Sequence, residues 1–183
     1  MESTDNGKAT ISSSMNGTEI SIPSKKNWFI LIFGTAWLGG WYLGFKSAWG
    51  TFRFGESGLE GVDAFMTVWL ICWTLGGVSI VGLLLWGYFG KELLEIENRQ
   101  VVLSKKVFGI GTNKVLKKSE VKNIRFNKVK INYFSGTNRW AIWGVGEGKI
   151  MFDYGMKTYS FGLALDDAEA NHIIEKMKQK IQI

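Results

Sequence analysis

The chain has 183 residues, a formal net charge of +6, one cysteine and one histidine. That inventory excludes an internal disulfide, a His/Cys ligand cluster and a Cys–His catalytic pair, and it leaves any Ser–His–Asp triad to be built on His172. The length suits a two-helix membrane unit plus one small globular domain.

Residues 1–24 are rich in Ser, Thr, Asn and Gly, with few large apolar side chains. So little apolar surface does not offset the entropy of ordering, so residues 1–26 read as a disordered tail. Two stretches without a charged residue follow, Asn27–Phe45 and Ala64–Gly90. At about 1.5 Å of helical rise per residue, either can cross a hydrocarbon core about 30 Å thick. The pattern predicts a two-span transmembrane hairpin over residues 27–90, with spans at 27–45 and 64–90 and an outside loop at 46–63. The first stretch starts late, runs longer than most signal-peptide cores and is followed by no clear cleavage site, so it reads as a retained signal anchor. Aromatic residues near the span ends, among them Trp28, Tyr42, Trp69, Trp86 and Phe89, fit an interfacial belt. Ala36, Gly40 and Gly44 form a small-residue ladder that allows close approach, to the second span or to another protein. Gly76 and Gly77 offer room for the bulky side of the first span.

Charge is unevenly placed. Residues 91–183 carry seventeen basic and ten acidic groups, more than the whole net charge. Lys25 and Lys26 precede the first span and Lys91, Arg99, Lys105 and Lys106 follow the second, whereas Lys46 and Arg53 in the loop are offset by three acids. The positive-inside rule places both termini in the cytoplasm, in an inner (cytoplasmic) membrane.

From Glu92 the apolar period changes from helical to two. Leu94, Ile96, Val101 and Leu103 alternate with polar residues around Asn98-Arg99-Gln100, which reads as a hairpin. Further strand-like runs cover Val107–Ile110, Lys114–Leu116, Val121–Phe126, Val129–Phe134, Trp140–Val145, Lys149–Tyr154 and Thr158–Leu163. Turn chemistry separates them at Gly111-Thr112-Asn113, Ser135–Asn138, Gly146-Glu147-Gly148 and Gly155-Met156-Lys157. Short antiparallel strands at this spacing make a sandwich or a partly open barrel. At the end, Asp166 with Glu169 three residues on reads as a capping box. The stripe Ala170, Ile173, Ile174, Met177 and Ile181 then makes one amphipathic helix that closes the barrel.

Three stretches resemble the pleckstrin-homology-like (PH-like) domains of bacterial membrane proteins: the hairpin Leu93–Leu103 directly after a span, the polar turn Lys118–Ile124 leading into a strand, and Phe152–Gly155 through Tyr159–Gly162 into the helix Asp166–Ile181. The resemblance covers residues 91–183 and implies a cytoplasmic PH-like domain there. The two-span layout is also similar to that of photosystem I assembly factors. PH-like domains elsewhere use the loop between their first two strands for phosphoinositide headgroups. Lys105 and Lys106 lie where that resemblance points, although the family's defining basic motif is absent.

Residues Lys105–Lys130 hold nine Lys or Arg against the single acid Glu120. Such a face suits anionic lipid or an acidic protein surface, or it is a solvated strand face. Nothing in it matches a nucleic-acid recognition motif. The glycines of Trp143–Lys149 link two strand-like runs, the wrong context for a phosphate-binding loop. Asp166, Asp167 and Glu169 are explained as helix-start chemistry.

Together these readings predict an α+β membrane protein: a transmembrane hairpin followed by a small antiparallel PH-like sandwich or barrel with a C-terminal helix. The expected function is a non-enzymatic scaffold, assembly factor or accessory subunit of a membrane complex. Its contacts are expected at Lys105, Lys106, Lys117, Lys118, Arg139 and Trp140, with Ala36, Gly40 and Gly44 packing inside the membrane. The alternative is a sensor of anionic lipid or another ligand. Membrane lipids and another membrane protein are the expected partners; no cofactor, metal or nucleic acid is expected.

Overall fold

A computed structural model describes residues 2–5, 7–14, 17–54, 60–128, 141 and 143–181. The chain divides into two compact units, residues 28–85 and a second unit formed by residues 1–27 with 86–183.

The first unit consists of α1 (Trp28–Phe54) and most of α2 (Glu60–Phe89). Both helices are long and apolar enough to cross a membrane, over Trp28–Gly50 and Ala64–Phe89. Only 11% and 17% of their apolar windows are buried, whereas a core helix of a water-soluble protein hides most of its length. Helix also covers most of the segment read as a loop, since α1 continues past Lys46 to Phe54 and α2 begins at Glu60. Three hydroxyls in the apolar windows are satisfied within their own helix: Thr35, Thr74 and Ser79 donate to the carbonyls of Leu31, Leu70 and Leu75 at 2.7 Å. The two helices pack through Trp41, whose indole N–H donates to the carbonyl of Trp73 at 3.1 Å and whose ring fills the space a side chain at Gly77 would need.

The second unit opens with a difference from the sequence reading. Residues 1–24, expected as a disordered tail, supply β1 (Glu2–Asp5), β2 (Thr10–Ser14) and β3 (Gly17–Pro23). These continue an antiparallel sheet through β4 (Gly90–Glu97), β5 (Gln100–Val107) and β6 (Ile110–Lys117), in the order β1-β2-β3-β4-β5-β6. Thr18, Ile20 and Ile22 alternate with exposed or half-buried residues on β3, so a short period-two pattern serves a sheet face despite its polar surroundings. The two helices are therefore inserted in sequence between neighbouring strands, with Pro23 opposite Lys91. The β5–β6 turn also lies earlier than the sequence suggests. It is the two-residue turn Phe108-Gly109, both residues with positive φ (51° and 82°), while Gly111-Thr112-Asn113 are part of β6.

A second sheet, β7 (Val121–Phe126), β8 (Ile150–Tyr154) and β9 (Lys157–Phe161), follows one turn of 3-10 helix at Lys118–Glu120. The strand expected at Val129–Phe134 lies outside the described residues. Trp140 and Ile142 of the run Trp140–Val145 lie outside them too; its described residues are not strand, since Ala141 and Trp143 sit in a short helical turn and Gly144 in a turn. Both sheets and α3 (Asp167–Ile181) share one apolar core that includes Ile20, Leu94, Leu103, Ile150, Phe152, Phe161, Ile173 and Met177. All five residues of the expected α3 stripe are buried. The capping box forms as read, with Glu169 N–H donating to Asp166 Oδ1 at 2.7 Å and Asp166 N–H to Glu169 Oε2 at 3.2 Å. Among the described residues the sheets do not close into a barrel: β6 ends the first sheet, and β7 and β9 end the second.

On the second sheet, Asp153 accepts hydrogen bonds from Arg125 (2.7 Å), Thr158 (2.7 Å) and Asn123 (2.8 Å). Asn123 adopts positive φ (53°) at a bulge in β7, a conformation that Asn tolerates, and the bulge turns its amide onto the carboxylate. These donors, Arg125 first, hold the Asp153 carboxyl well below the usual carboxylate range, and the same bond raises the pKa of Arg125.

Two outcomes follow. Gly77→Leu should evict the Trp41 ring and destabilise the helix pair by about 1–3 kcal/mol in detergent unfolding. Gly76→Leu, at a position open to its surroundings, should leave the midpoint unchanged, and equal effects would contradict the packing described. Because the folded pKa of Asp153 is depressed, its stabilisation is complete above the unfolded value of about 3.9 and is lost as pH falls toward the folded one. Asp153→Asn should therefore lower the midpoint at neutral pH, and its deficit should shrink progressively below about pH 4.

Candidate functional site

The register of the first sheet decides where its charged side chains go. Residues facing each other across the strands form rows, and one core-facing row reads Ile11, Ile20, Leu94, Leu103, Lys114. The neighbouring row, nearer the helical insert, reads Ile22, Glu92, Lys105, Thr112. Both rows start apolar and end polar, although these end positions share a face with the core residue Leu116. Tyr159 and Lys157 stand on the matching face of β9, two and four residues before the core residue Phe161. Leu103, Lys105, Thr112, Lys114, Lys157 and Tyr159 thus help line a half-open cavity of about 490 Å³ between β6 and β9, the strands that end the two sheets among the described residues. The Lys114 ammonium lies 5.1 Å from the centre of the Tyr159 ring, a cation–π distance.

Glu92 is the anchor of this region. It is only 5% exposed; one carboxylate oxygen pairs with Lys105 at 2.9 Å and the other accepts the backbone N–H of Gly162 at 2.6 Å. Its charge is compensated by a strong acceptor–donor set, as a buried carboxylate requires. Lys105 also lies over the Trp86 ring at 5.9 Å. Among the described residues neither Lys114 nor Lys157 has a carboxylate within ion-pair reach.

The basic residues singled out from the sequence do not form one patch. Lys105 points inward to Glu92, while Lys106, one residue on, faces outward opposite Lys91. Lys117 and Lys118 lie at the other end of β6, roughly 20 Å along the strand from Lys106 at about 3.4 Å per residue. Lys117 pairs there with Glu120 at 3.2 Å. Arg139 and Trp140 fall outside the described residues. Of the intramembrane ladder, Gly44 faces Trp73, whereas Gly40 has nothing near it and Ala36 is exposed.

Glu92 and Tyr159 escaped the sequence reading, and for Glu92 a signal existed. It stands in phase with Leu94 and Ile96 on a strand of period two, so an acid occupies an inward position.

Where the helices leave the second unit, the chain is tied down by several hydrogen bonds. Ser24 N–H donates to Gly90 O and Ser24 Oγ to Gly87 O, each at 2.9 Å, satisfying carbonyls at the C-terminus of α2. Trp86 Nε1 donates to Gly144 O at 2.8 Å. Lys25, half-buried beside this junction, has its pKa lowered by burial and then by the charges of Lys149 and Lys8. Among the described residues, no three His, Cys, Asp or Glu side chains group as metal ligands.

No known protein family, no curated protein and no solved structure matches the chain.

Replacing Glu92 by Ala would leave the Gly162 N–H without its acceptor and Lys105 without its counter-ion. Because Lys105 keeps about a third of its side chain in water, the expected loss is about 2 kcal/mol, below that of a fully buried pair. Urea unfolding of Glu92→Ala beside Lys105→Met checks this, with the larger loss expected for Glu92→Ala.

Proposed function

We propose that this protein is a non-enzymatic, membrane-anchored module whose PH-like domain binds an anionic ligand in the mouth between β6 and β9. The observation that carries the reading is the polar end of the inward rows, where Lys105, Thr112, Lys114 and Lys157 occupy positions a closed core would fill with apolar side chains. The PH-like assignment draws on element order: a four-strand meander β3–β6, a three-strand sheet β7–β9 and a helix over their common core. The helical hairpin then interrupts the domain between its first two strands, and β1 and β2 extend its edge. We take α1 and α2 as the two membrane spans. The charge flanking them supports a cytoplasmic membrane with the β-domain inside.

A second reading, an accessory subunit of a membrane complex, draws on α1. Gly39 and Gly40 leave its surface open to close approach, as a partner helix in a bilayer needs. Pull-down in mild detergent, comparing wild type with Gly40→Leu, tests it; a stoichiometric partner lost in the variant supports it.

The ligand reading is tested on the full chain in neutral detergent with inorganic pyrophosphate as the probe. Saturable binding is expected, weakened at least about tenfold in Lys114→Gln/Lys157→Gln with an unchanged melting temperature. No binding by the wild type at millimolar probe, or identical affinities, would remove the reading.

A further inference from the structure

The end of the first sheet nearest the helical insert carries a surface that water alone does not explain. Phe108 occupies the first position of its two-residue turn with φ 51°, a left-handed conformation that bulky side chains rarely adopt and that Asn or Gly would take without strain. Its ring is 66% exposed and Ile110, two residues on, is 82% exposed. Beside them, Lys91 and Lys106 are direct cross-strand neighbours on the outer face, a like-charge pairing that destabilises a sheet. No carboxylate pairs with either lysine among the described residues. Lys26, Lys91, Lys106, Tyr88, Phe89 and Phe108 gather round an open cavity of about 540 Å³, with Glu19 the one acid on its wall among the described residues.

One contact sets the depth of this surface. Phe108 packs on Phe89, ring centres 4.5 Å apart, and Phe89 is the last residue of the apolar window Ala64–Phe89. Wherever that window ends in a bilayer, Phe108 is carried to the same level, which is the interfacial zone where aromatic rings and lysines are both favoured.

We infer that the Phe108–Ile110 hairpin tip inserts into the interface of the membrane spanned by α1 and α2, with Lys91 and Lys106 bridged by anionic lipid headgroups. A headgroup phosphate between the two ammonium groups converts their repulsion into attraction, and the exposed rings leave water. The inference rests on the membrane-span part of the function proposed above but not on the ligand mouth, whose lysines Lys114 and Lys157 take no part in it. It commits to lipid as the occupant because the surface is continuous with the end of a span. An acidic protein would satisfy the lysines and leave Phe108 and Ile110 unexplained.

The test uses the full chain in nanodiscs, labelled with a fluorophore at one cysteine at a time. Native Cys72, exposed on α2, reports the span itself; Ile110→Cys and Ser119→Cys are made in a Cys72→Ser background. In discs containing phosphatidylglycerol, the label at 110 should be quenched by shallow nitroxide lipids. It should also be protected from iodide about tenfold relative to the label at 119. Lys91→Gln/Lys106→Gln should weaken the preference for phosphatidylglycerol over phosphatidylcholine discs by about fivefold per lysine. A label at 110 as open to iodide as that at 119, with Cys72 shielded, overturns the inference while the spans stand. An iodide-accessible Cys72 overturns the span reading, and the inference with it. Lipid burial of 110 that is indifferent to headgroup charge and to both lysines overturns the role given to Lys91 and Lys106.

Discussion

The pairing of β3 with β4 is the constraint on which the rest of this architecture depends. Two helices of 27 and 30 residues separate these strands in sequence, yet they lie side by side, with Ile20 opposite Leu94 and Pro23 opposite Lys91. Adjacent strands are about 4.8 Å apart, so the chain must leave the sheet and return to it at almost one point. The local chemistry serves that demand. Ser24 satisfies two carbonyls of the returning segment, and Gly90 allows α2 to pass into β4 with no linker, where a side chain would overlap Trp86. Register then propagates strand by strand to β6, and with it the placement of every inward side chain.

That propagation explains why two successive lysines have unrelated environments. In a strand, neighbours point to opposite faces, so Lys105 is drawn to Glu92 inside and Lys106 is left outside with Lys91. The same alternation separates Lys114 and Lys105, on the inner face, from Lys91 and Lys106, on the outer one. The inner one is a cleft where apolar rows give way to lysine and hydroxyl side chains. The outer one, at the end of the sheet next to Phe89, combines charge with bare aromatic surface. Among the described residues no strand pairs with the outer edges of β6 and β9, and inward-pointing charge on such edges discourages strand addition by other chains.

Much of this was legible in the residues. Charge-free stretches located both long helices, because a long unbroken apolar run is a coarse, length-scaled signal. The α3 stripe and its capping box were readable for a similar reason: five apolar positions and two acids repeat at helical spacing. The N-terminal strands were not readable, because Ile11, Ile20 and Ile22 are the few apolar residues in a Ser/Thr-rich segment whose value comes from distant partners such as Leu94. Composition measures what a segment can bury by itself, and here the burial is supplied by chain made some seventy residues later. The basic stretch misled in the opposite sense. Proximity in sequence suggested one face for Lys105 through Lys118, whereas a strand spreads it over both faces and the full length of the sheet.

The interrupted sheet also bears on how the protein is made. When β3 leaves the ribosome only its partner β2 exists, and β4 is synthesised after both helices. If those helices enter a bilayer, the two strands meet only when the hairpin has crossed and returned. A chain that inserted one helix and stalled would strand β3 and β4 on opposite sides, with Ile20, Ile22 and Leu94 all denied burial. With the helices in a bilayer, completion of the β-domain would report that both had inserted, because the sheet can close on β4 only when the chain has come back to the side it left.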